Sequence, residues 1–474
     1  MAINNRQNVV MTDRYGAAAP VRDKRRFFAD EKDPLHAAFD RKAGVHPRGR
    51  GRPIPASDIP GIWEEAMEAP GGKGGEERAA YFHIPFCESR CLYCGFHANP
   101  FSRPEGDRYV DYLLREMTMT SAATFIASHP FHAVYLGGGT PTALSADNLS
   151  RLLRGINTCL PLAGDCELTV EGRTHNFPED KVIACIQGGA NRFSLGVQSF
   201  DTRVRRQMGR IETGDDVSRH LTRLKAMSQT VVAIDLIYGL PGQTMEIWEN
   251  DVRRCIELGL DGVSLYQLNV YDQGRLQEAA GKGLVAPPAD VSVQADMFAA
   301  SVDIMQRARY RRTSLSHWGR TTRERSLYNN LALSSSVCIP FGCGAGGTAG
   351  GYSFMQDRVL DDYYRKIDAG VKPIALCTVR PPGDSLFREI TRQVTLGYCD
   401  LRALGERYGL ELELICLPIL EQWEAVGLIE RLNGSLELTL AGQFWSVNLC
   451  QNLIDWCADA LERGENDAAE AMNG

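Results

Sequence analysis

The chain has 474 residues, 44% hydrophobic and 23% charged, enough for two or three domains with a substantial core. A net charge of −7 supplies no broad basic field that would suggest a nucleic-acid partner, and no apolar run reaches the roughly 18 residues a membrane helix needs. Its 14 cysteines sit in a chain too long for a secreted disulfide scaffold and without an apolar leader at Met1–Thr12, so the expectation is a cytoplasmic protein with free thiols, free of nucleic acid and membrane.

Residues 1–77 are rich in Arg, Pro and Gly and lack sustained periodicity, which predicts an extended arm with short helices near Pro34–Lys42 and Ile59–Met67. Such an arm is either a disordered leader or a cover over a site elsewhere. From Ala79 the pattern changes. Apolar runs at Ala80–Pro85, Ala133–Leu136, Glu167–Val170, Arg192–Val197, Val231–Tyr238 and Gly262–Val270 predict strands. Amphipathic stretches at Arg108–Ile126, Ala146–Cys159, Pro178–Gln187, Thr213–Met227 and Met245–Leu258 predict the helices between them. Strands alternating with helices of this length imply right-handed crossovers and a parallel sheet, an α/β fold. Cys159, Cys166, Cys185, Cys255, Cys416, Cys450 and Cys457 lie among apolar residues and read as core fillers.

Parallel α/β sheets bind ligands at the carboxyl ends of their strands, and there the unusual residues gather. After the first strand, Cys87, Cys91 and Cys94 form a C-x3-C-x2-C run. Three thiolates on one loop can hold three irons of a [4Fe-4S] cluster and leave the fourth open; zinc is the alternative, with His83 and His97 near. After the second strand comes Gly137–Thr142, GGGTPT, either a flexible turn or a backbone surface that lets a ligand approach closely. The third strand ends at Glu171, which alone reads equally as a solvated carboxylate. Gln198 and Arg210 follow the fourth strand. Asp235, inside the apolar fifth, needs a cation or donors, and Arg210 or a bound cofactor would serve.

Further on, Asp290–Arg309 predicts a long helix, and Cys338–Phe354 holds six glycines, a surface loop or a backbone bent closely around a pocket. Residues 384–463 read as helix, helix, strand, turn, strand, a winged-helix-like order without the basic stripe of a DNA reader. Residues 464–474 read as a frayed tail.

The cysteine run, with Tyr93 before its last member, resembles the signature of radical S-adenosylmethionine (SAM) enzymes. The leading YFHIPFC, Tyr81–Cys87, is similar to the coproporphyrinogen dehydrogenase-like branch, which includes oxygen-independent coproporphyrinogen dehydrogenase, the heme chaperone HemW and HutW/ChuW-type heme-utilisation enzymes. The resemblance implies a partial (β/α)6 radical SAM barrel over 78–320, a Gly-rich closing segment over 321–383, and a winged-helix-like domain over 384–463. It implies a [4Fe-4S] cluster on Cys87, Cys91 and Cys94, and a SAM that chelates the open iron and is cleaved to a 5′-deoxyadenosyl radical. Tyr81, Tyr93, Gly138, Gly139, Thr140 and Glu171 would contact that SAM; Gln198, Arg210 and Asp235 match positions that contact a second, with Asn269 nearby.

Within the branch, coproporphyrinogen dehydrogenases carry a further cysteine where this chain has Phe96, a departure that speaks against that activity. The PFGCGAGG block at Pro340–Gly347, the SHW at Ser316–Trp318 and Asp33–His46 resemble HutW-type sequences. That likeness implies anaerobic opening of heme, one SAM supplying the radical and another a methyl group, to give a methylated linear tetrapyrrole and free iron. Heme and a flavodoxin- or ferredoxin-type electron donor are the implied partners, with His317, Cys343 and His97 as candidate heme ligands. The alternatives are a HemW-like heme chaperone and a coproporphyrinogen dehydrogenase-like oxidase.

Overall fold

The computed structural model describes residues 27, 29, 32–44, 51–68, 77–96, 99–334, 337–381 and 383–473, with side chains through Leu461. Two compact units emerge, Arg48–Gly397 and a second that joins Met1–Pro47 to Tyr398–Gly474.

In the larger unit, strands and crossover helices alternate as the sequence pattern requires: β1 (Arg78–Ile84), α1 (Arg103–Ser121), β2 (Phe131–Gly138), α2 (Ala146–Cys159), β3 (Leu162–Gly172), α3 (Glu179–Gln187), β4 (Arg192–Gln198), α4 (Gly214–Met227), β5 (Val231–Tyr238), α5 (Met245–Glu257) and β6 (Gly262–Gln267). All six strands pair in parallel in chain order. A helix, α6 (Val291–Arg307), leads to β7 (His317–Gly319), which adds antiparallel to β6. Most helices start at a side chain that accepts an N–H of the first turn, Ser102, Ser145, Thr213, Thr244 and Asp290 among them. Each such cap is worth about 1 kcal/mol.

The closing segment is part of the same sheet. After α7 (Leu327–Leu333), β8 (Val337–Phe341) pairs in parallel with β1 and becomes a seventh parallel strand beside the six expected. The sheet therefore crosses the boundary placed at 320/321. The glycine-rich residues then form an antiparallel extension, Gly346–Ala349, Tyr352–Gln356 and Ile374–Val379, edged by Arg52–Pro53.

Side chains alternate across this sheet. Phe82, Leu136, Val170, Phe193 and Val232 form one register row, and all are fully buried. The opposite, inner face carries the polar rows Tyr81–Tyr135–Thr169–Arg192 and Gly196–Asp235–Ser264–His317. At its lower end α7 packs Leu331 against Ala79 and Ala133. Toward the carboxyl ends Tyr81, His83, Glu171, Gln198 and Asp235 are partly open to solvent.

The smaller unit has the helix pair Leu401–Tyr408 and Leu412–Ala425, then the hairpin Ile429–Leu432 with Ser435–Leu438, to which Tyr398–Asp400 adds a third strand. Its last helix, Ser446–Asn473, continues through the stretch expected to be a tail. Of the predicted arm, the described residues before Pro47 dock here, while Arg52–Pro53 edges the sheet of the larger unit. Trp423 and Trp445 donate their indole N–H to Phe27 O and Leu35 O (3.0 and 2.9 Å), and the Phe27 ring meets Trp456 edge-on at 5.3 Å. Of the core-filler cysteines only Cys159 is partly exposed. No helix among the described residues is long and apolar enough to cross a membrane.

Candidate active site at the strand ends

Past Ile84 the chain leaves β1 and enters the cysteine loop. Cys94 N–H donates to Cys91 O (3.4 Å) and Leu92 N–H to Met208 O (3.2 Å), which ties the loop to the segment after β4. Cys87 Sγ lies 3.4 Å from Thr140 Oγ1. Arg173 spans the loop, with Nη1 on Ser89 Oγ (2.9 Å) and Nη2 4.0 Å from Cys87 Sγ. Burial raises the Cys94 thiol, and the nearness of Cys91 and Cys87 raises it further. Three neighbouring thiols with guanidinium groups behind them suit a donor set for an electron-poor cluster. Among the described residues no three His, Cys, Asp or Glu side chains converge on a single ion; cluster cysteines each bind a different iron and do not need to.

The GGG turn after β2 is a contact surface. A Cβ on Gly139 would come 2.4 Å from Phe86 O, at the root of the cysteine loop, and one on Gly137 would come 2.7 Å from Glu171 Oε2. Gly138 sits at φ +108°, and a Cβ there would strike the His83 ring at 2.6 Å. Its N–H donates to Glu171. These glycines bring the cysteine loop, the turn and Glu171 into one cradle, so the flexible-turn alternative does not describe them. Glu171 is no ordinary solvated carboxylate either: burial, then the charge of Asp235, pushes it up to about 8.

Gln198, Arg210 and Asp235 surround Gly196. Arg210 Nη2 donates to Gly196 O at 2.6 Å, and a Cβ on Gly196 would meet Gln198 Nε2 at 2.7 Å. Asp235 is the register partner of Gly196 on β5. Gln198 Oε1 and Arg210 Nε are buried without a hydrogen-bond partner among the described residues, and Gln198 holds φ +73°, a conformation that costs a side-chain-bearing residue about 1–3 kcal/mol. Polar atoms left unpaired and a strained backbone in one spot mark a place prepared for a ligand. Burial raises the Asp235 carboxyl, against which Ser264 donates a hydrogen bond and Arg192, His317 and Arg210 favour the charge in that order. Ser264, not Arg210, is thus the principal protein partner of this buried acid. Asn269 lies just past the end of β6.

Tyr81, Tyr135 and Tyr328 form a cluster of near-parallel rings, with Tyr81 6.3 Å from Tyr135 and 5.9 Å from Tyr328 and those two 4.6 Å apart, and Tyr81 Oη lies 2.9 Å from His83 Nδ1. Burial raises the Tyr93 phenol, which lies among Cys91, Arg210 and Arg173.

The structure argues against two of the candidate heme ligands. His317 is buried, with Nδ1 2.8 Å from Ser264 Oγ and Nε2 3.2 Å from Glu324 Oε1, close enough for an ion pair though not aligned as a hydrogen bond. Cys343 is also buried, its thiol pushed up to about 12 by burial and then by Asp357 and Glu116. Neither offers a free donor to an open face. His97 lies outside the described residues. Instead, Cys343 marks where the glycine-rich strip is fastened: Tyr109 Oη donates to His83 O (2.6 Å) and accepts Cys343 N–H (2.9 Å).

Sequence reasoning did not single out Arg173, Tyr135 or Ser264. Arg173 stood two residues past a strand end, a visible position; Ser264 and Tyr135 acquire meaning only through their register partners Asp235 and Tyr81.

A curled parallel sheet with a three-cysteine loop after its first strand defines a radical SAM barrel, and the chain belongs to the radical SAM superfamily, whose sequence model matches residues 81–255. Over 414 residues it is 37% identical to the anaerobilin synthase of Escherichia coli O157:H7, covering 87% of this chain and 91% of that protein. It is also 33% identical over 287 residues to the heme chaperone HemW of Lactococcus lactis, 60% of this chain and 74% of the chaperone. The fold matches the coproporphyrinogen III oxidase HemN of Escherichia coli, itself a radical SAM enzyme, with a TM-score of 0.70 at 21% identity, over 83% of this chain and 93% of that one. The protein is a radical SAM enzyme whose cofactors are a [4Fe-4S] cluster and SAM.

Proposed function

We propose that this protein opens the heme macrocycle without oxygen, as a radical SAM C-methyltransferase that yields a methylated linear tetrapyrrole and frees the iron. The observation that carries this reading is the second polar cradle: Gln198 and Arg210 leave buried hydrogen-bonding atoms unpaired next to Asp235, beside the first cradle of Gly138, Gly139, Thr140 and Glu171. Two adjacent SAM sites fit a reaction that needs both a radical and a methyl donor, and the likeness to anaerobilin synthase supports the choice.

In this reading Cys87, Cys91 and Cys94 hold the cluster, while Glu171 and the glycine turn receive the first SAM, with Tyr81 and Tyr93 at its sides. When bound, the cluster and SAM supply the radical chemistry that a conjugated ring demands where no oxygen is present. The chain's own residues orient and exclude water. Arg173 stabilises thiolate charge on Cys87, Arg210 and Gln198 fix the second SAM, and Asp235 offers its carboxylate to a cationic group. Heme is the substrate, and an acidic flavodoxin- or ferredoxin-type protein the reductant.

The test is anaerobic turnover of the cluster-loaded protein with SAM, reductant and heme, following the Soret band and analysing products by mass spectrometry. Loss of the band with 5′-deoxyadenosine, S-adenosylhomocysteine and a methylated open tetrapyrrole is expected. A band that only shifts, with heme returned intact, would favour the chaperone reading that the HemW likeness keeps in view.

A further inference from the structure

We propose that Arg90, Arg203, Arg206 and Arg275 form the docking face for an acidic one-electron carrier protein. The cluster needs an electron from outside, and the chain's net charge of −7 would repel an acidic donor unless some part of the surface is locally positive. All four arginines are exposed; Arg203 and Arg206 belong to the helix Thr202–Gln207 that precedes Gly209. Arg90 precedes Cys91 in that loop. Arg275 Nη1 donates to Arg90 O at 3.3 Å, which brings the helix after β6 against the loop. Gly209, three residues past Arg206, lies with its would-be Cβ 3.5 Å from Arg90 O and 3.8 Å from Cys91 Cα.

The acids nearby take their hydrogen bonds from groups other than these arginines, and Glu278 is neutralised by Lys282. Glu88 accepts from Asn176, Asp201 caps its helix at Val204 N–H (2.8 Å), Glu278 pairs with Lys282 at 2.5 Å, and Asp272 has a partner of its own. The arginines make only weak backbone contacts, such as Arg203 Nη2 to Gly242 O at 3.5 Å, and no ion pair among the described residues. Their charge is free to meet a partner. Leu92 and Tyr93 of the same loop pack against Val204, Met208, Leu240, Leu268 and Leu276, so the helix that carries Arg203 and Arg206 and the one that carries Arg275 both rest on the cysteine loop. There the carrier gives up one electron and the cluster gains it. The inference rests on the radical SAM assignment and not on the heme reading.

The experiment uses cluster-loaded protein with reduced flavodoxin as the probe, and compares wild type with Arg203→Glu/Arg206→Glu, Arg206→Gln and Arg275→Glu. Two quantities are read: the flavodoxin dissociation constant by calorimetry at low and high salt, and the rate at which the cluster's visible absorbance bleaches, with flavodoxin or with dithionite. Wild-type binding should weaken with salt, and the double variant should bind and be reduced by flavodoxin about tenfold less well or worse while its dithionite rate stays unchanged. The single variants should fall between. Unchanged flavodoxin binding would overturn the proposal, as would a rise in heme KM under dithionite, which would assign the arginines to substrate carboxylates. Protein that bleaches normally yet leaves heme intact would end the heme reading alone.

Discussion

On the lower inner face Arg192, Glu324 and His317 form a closed set: Arg192 Nε lies 3.1 Å from Glu324 Oε1 and His317 Nε2 3.2 Å from the same oxygen, all three buried. Toward the carboxyl ends Glu171, Gln198, Arg210 and Asp235 are equally polar, but Gln198 Oε1 and Arg210 Nε have no hydrogen-bond partner among the described residues and the charge of Asp235 opposes that of Glu171. The two carboxyls carry the contrast. Burial alone would raise Glu324, but Arg192 and His317 hold it down to about 2, whereas at Glu171 burial and the charge of Asp235 outweigh the Gly138 N–H and Arg173 and push it up to about 8. The lower set pairs its buried carboxylate with Arg192 and His317; in the proposed function the upper one is completed by SAM, which brings positive charge and hydrogen bonds.

The sharpest way to break this comparison is in the lower set. Arg192→Met should cost about 3–5 kcal/mol of unfolding free energy, because it strands a buried carboxylate. Adding Glu324→Leu should recover part of the loss, measured by denaturant titration. Next comes the cradle wall. Gly139→Ala places a methyl 2.4 Å from Phe86 O and should cost about 1–3 kcal/mol through overpacking, with less iron retained per chain after reconstitution. The upper set should behave differently. Gln198→Gly relieves the φ of +73° and adds chain entropy, leaving stability within about 1 kcal/mol of wild type. SAM affinity, followed by calorimetry, should nonetheless fall about tenfold or more. A large stability loss in that variant would mean Gln198 is structural after all.

Much of this was legible in the chain. The strand–helix alternation from Ala80 to Gln267 carries its own period, and the cysteine spacing, GGGTPT and the lone carboxylate in Ile234–Tyr238 each announce a constraint. What stayed hidden depends on pairing between distant segments. Val337–Phe341 becomes a seventh parallel strand only because its register meets Arg78–Phe82, which no local pattern encodes. His317 looked like a ligand because a histidine in an apolar run is chemically ambiguous; its role follows from Ser264 across the β6–β7 pair and from Glu324, neither adjacent in sequence. The described residues around Phe27 and Leu35 carry no periodic pattern because they take their order from Trp423, Trp445 and Trp456.

The remaining expectation concerns pH, and it separates the two sets by sign. Glu324 has its folded pKa lowered from 4.5 to about 2, so its contribution is present above pH 4.5 and is lost as pH falls toward 2. Glu171 is raised from 4.5 to about 8, so its contribution is greatest below pH 4.5 and drains away as pH climbs to 8. Glu171→Gln should therefore gain on wild type between pH 4.5 and 8, while the deficit of Glu324→Gln should open between pH 2 and 4.5 and then stay constant. Thermal unfolding across that range reads both. Saturating SAM should flatten the wild-type slope, since a cation beside Glu171 lets it ionise at no cost to the fold. A Glu171→Gln profile parallel to wild type from pH 4.5 to 8 would mean the carboxyl is already ionised, and the upper set would then be as self-contained as the lower.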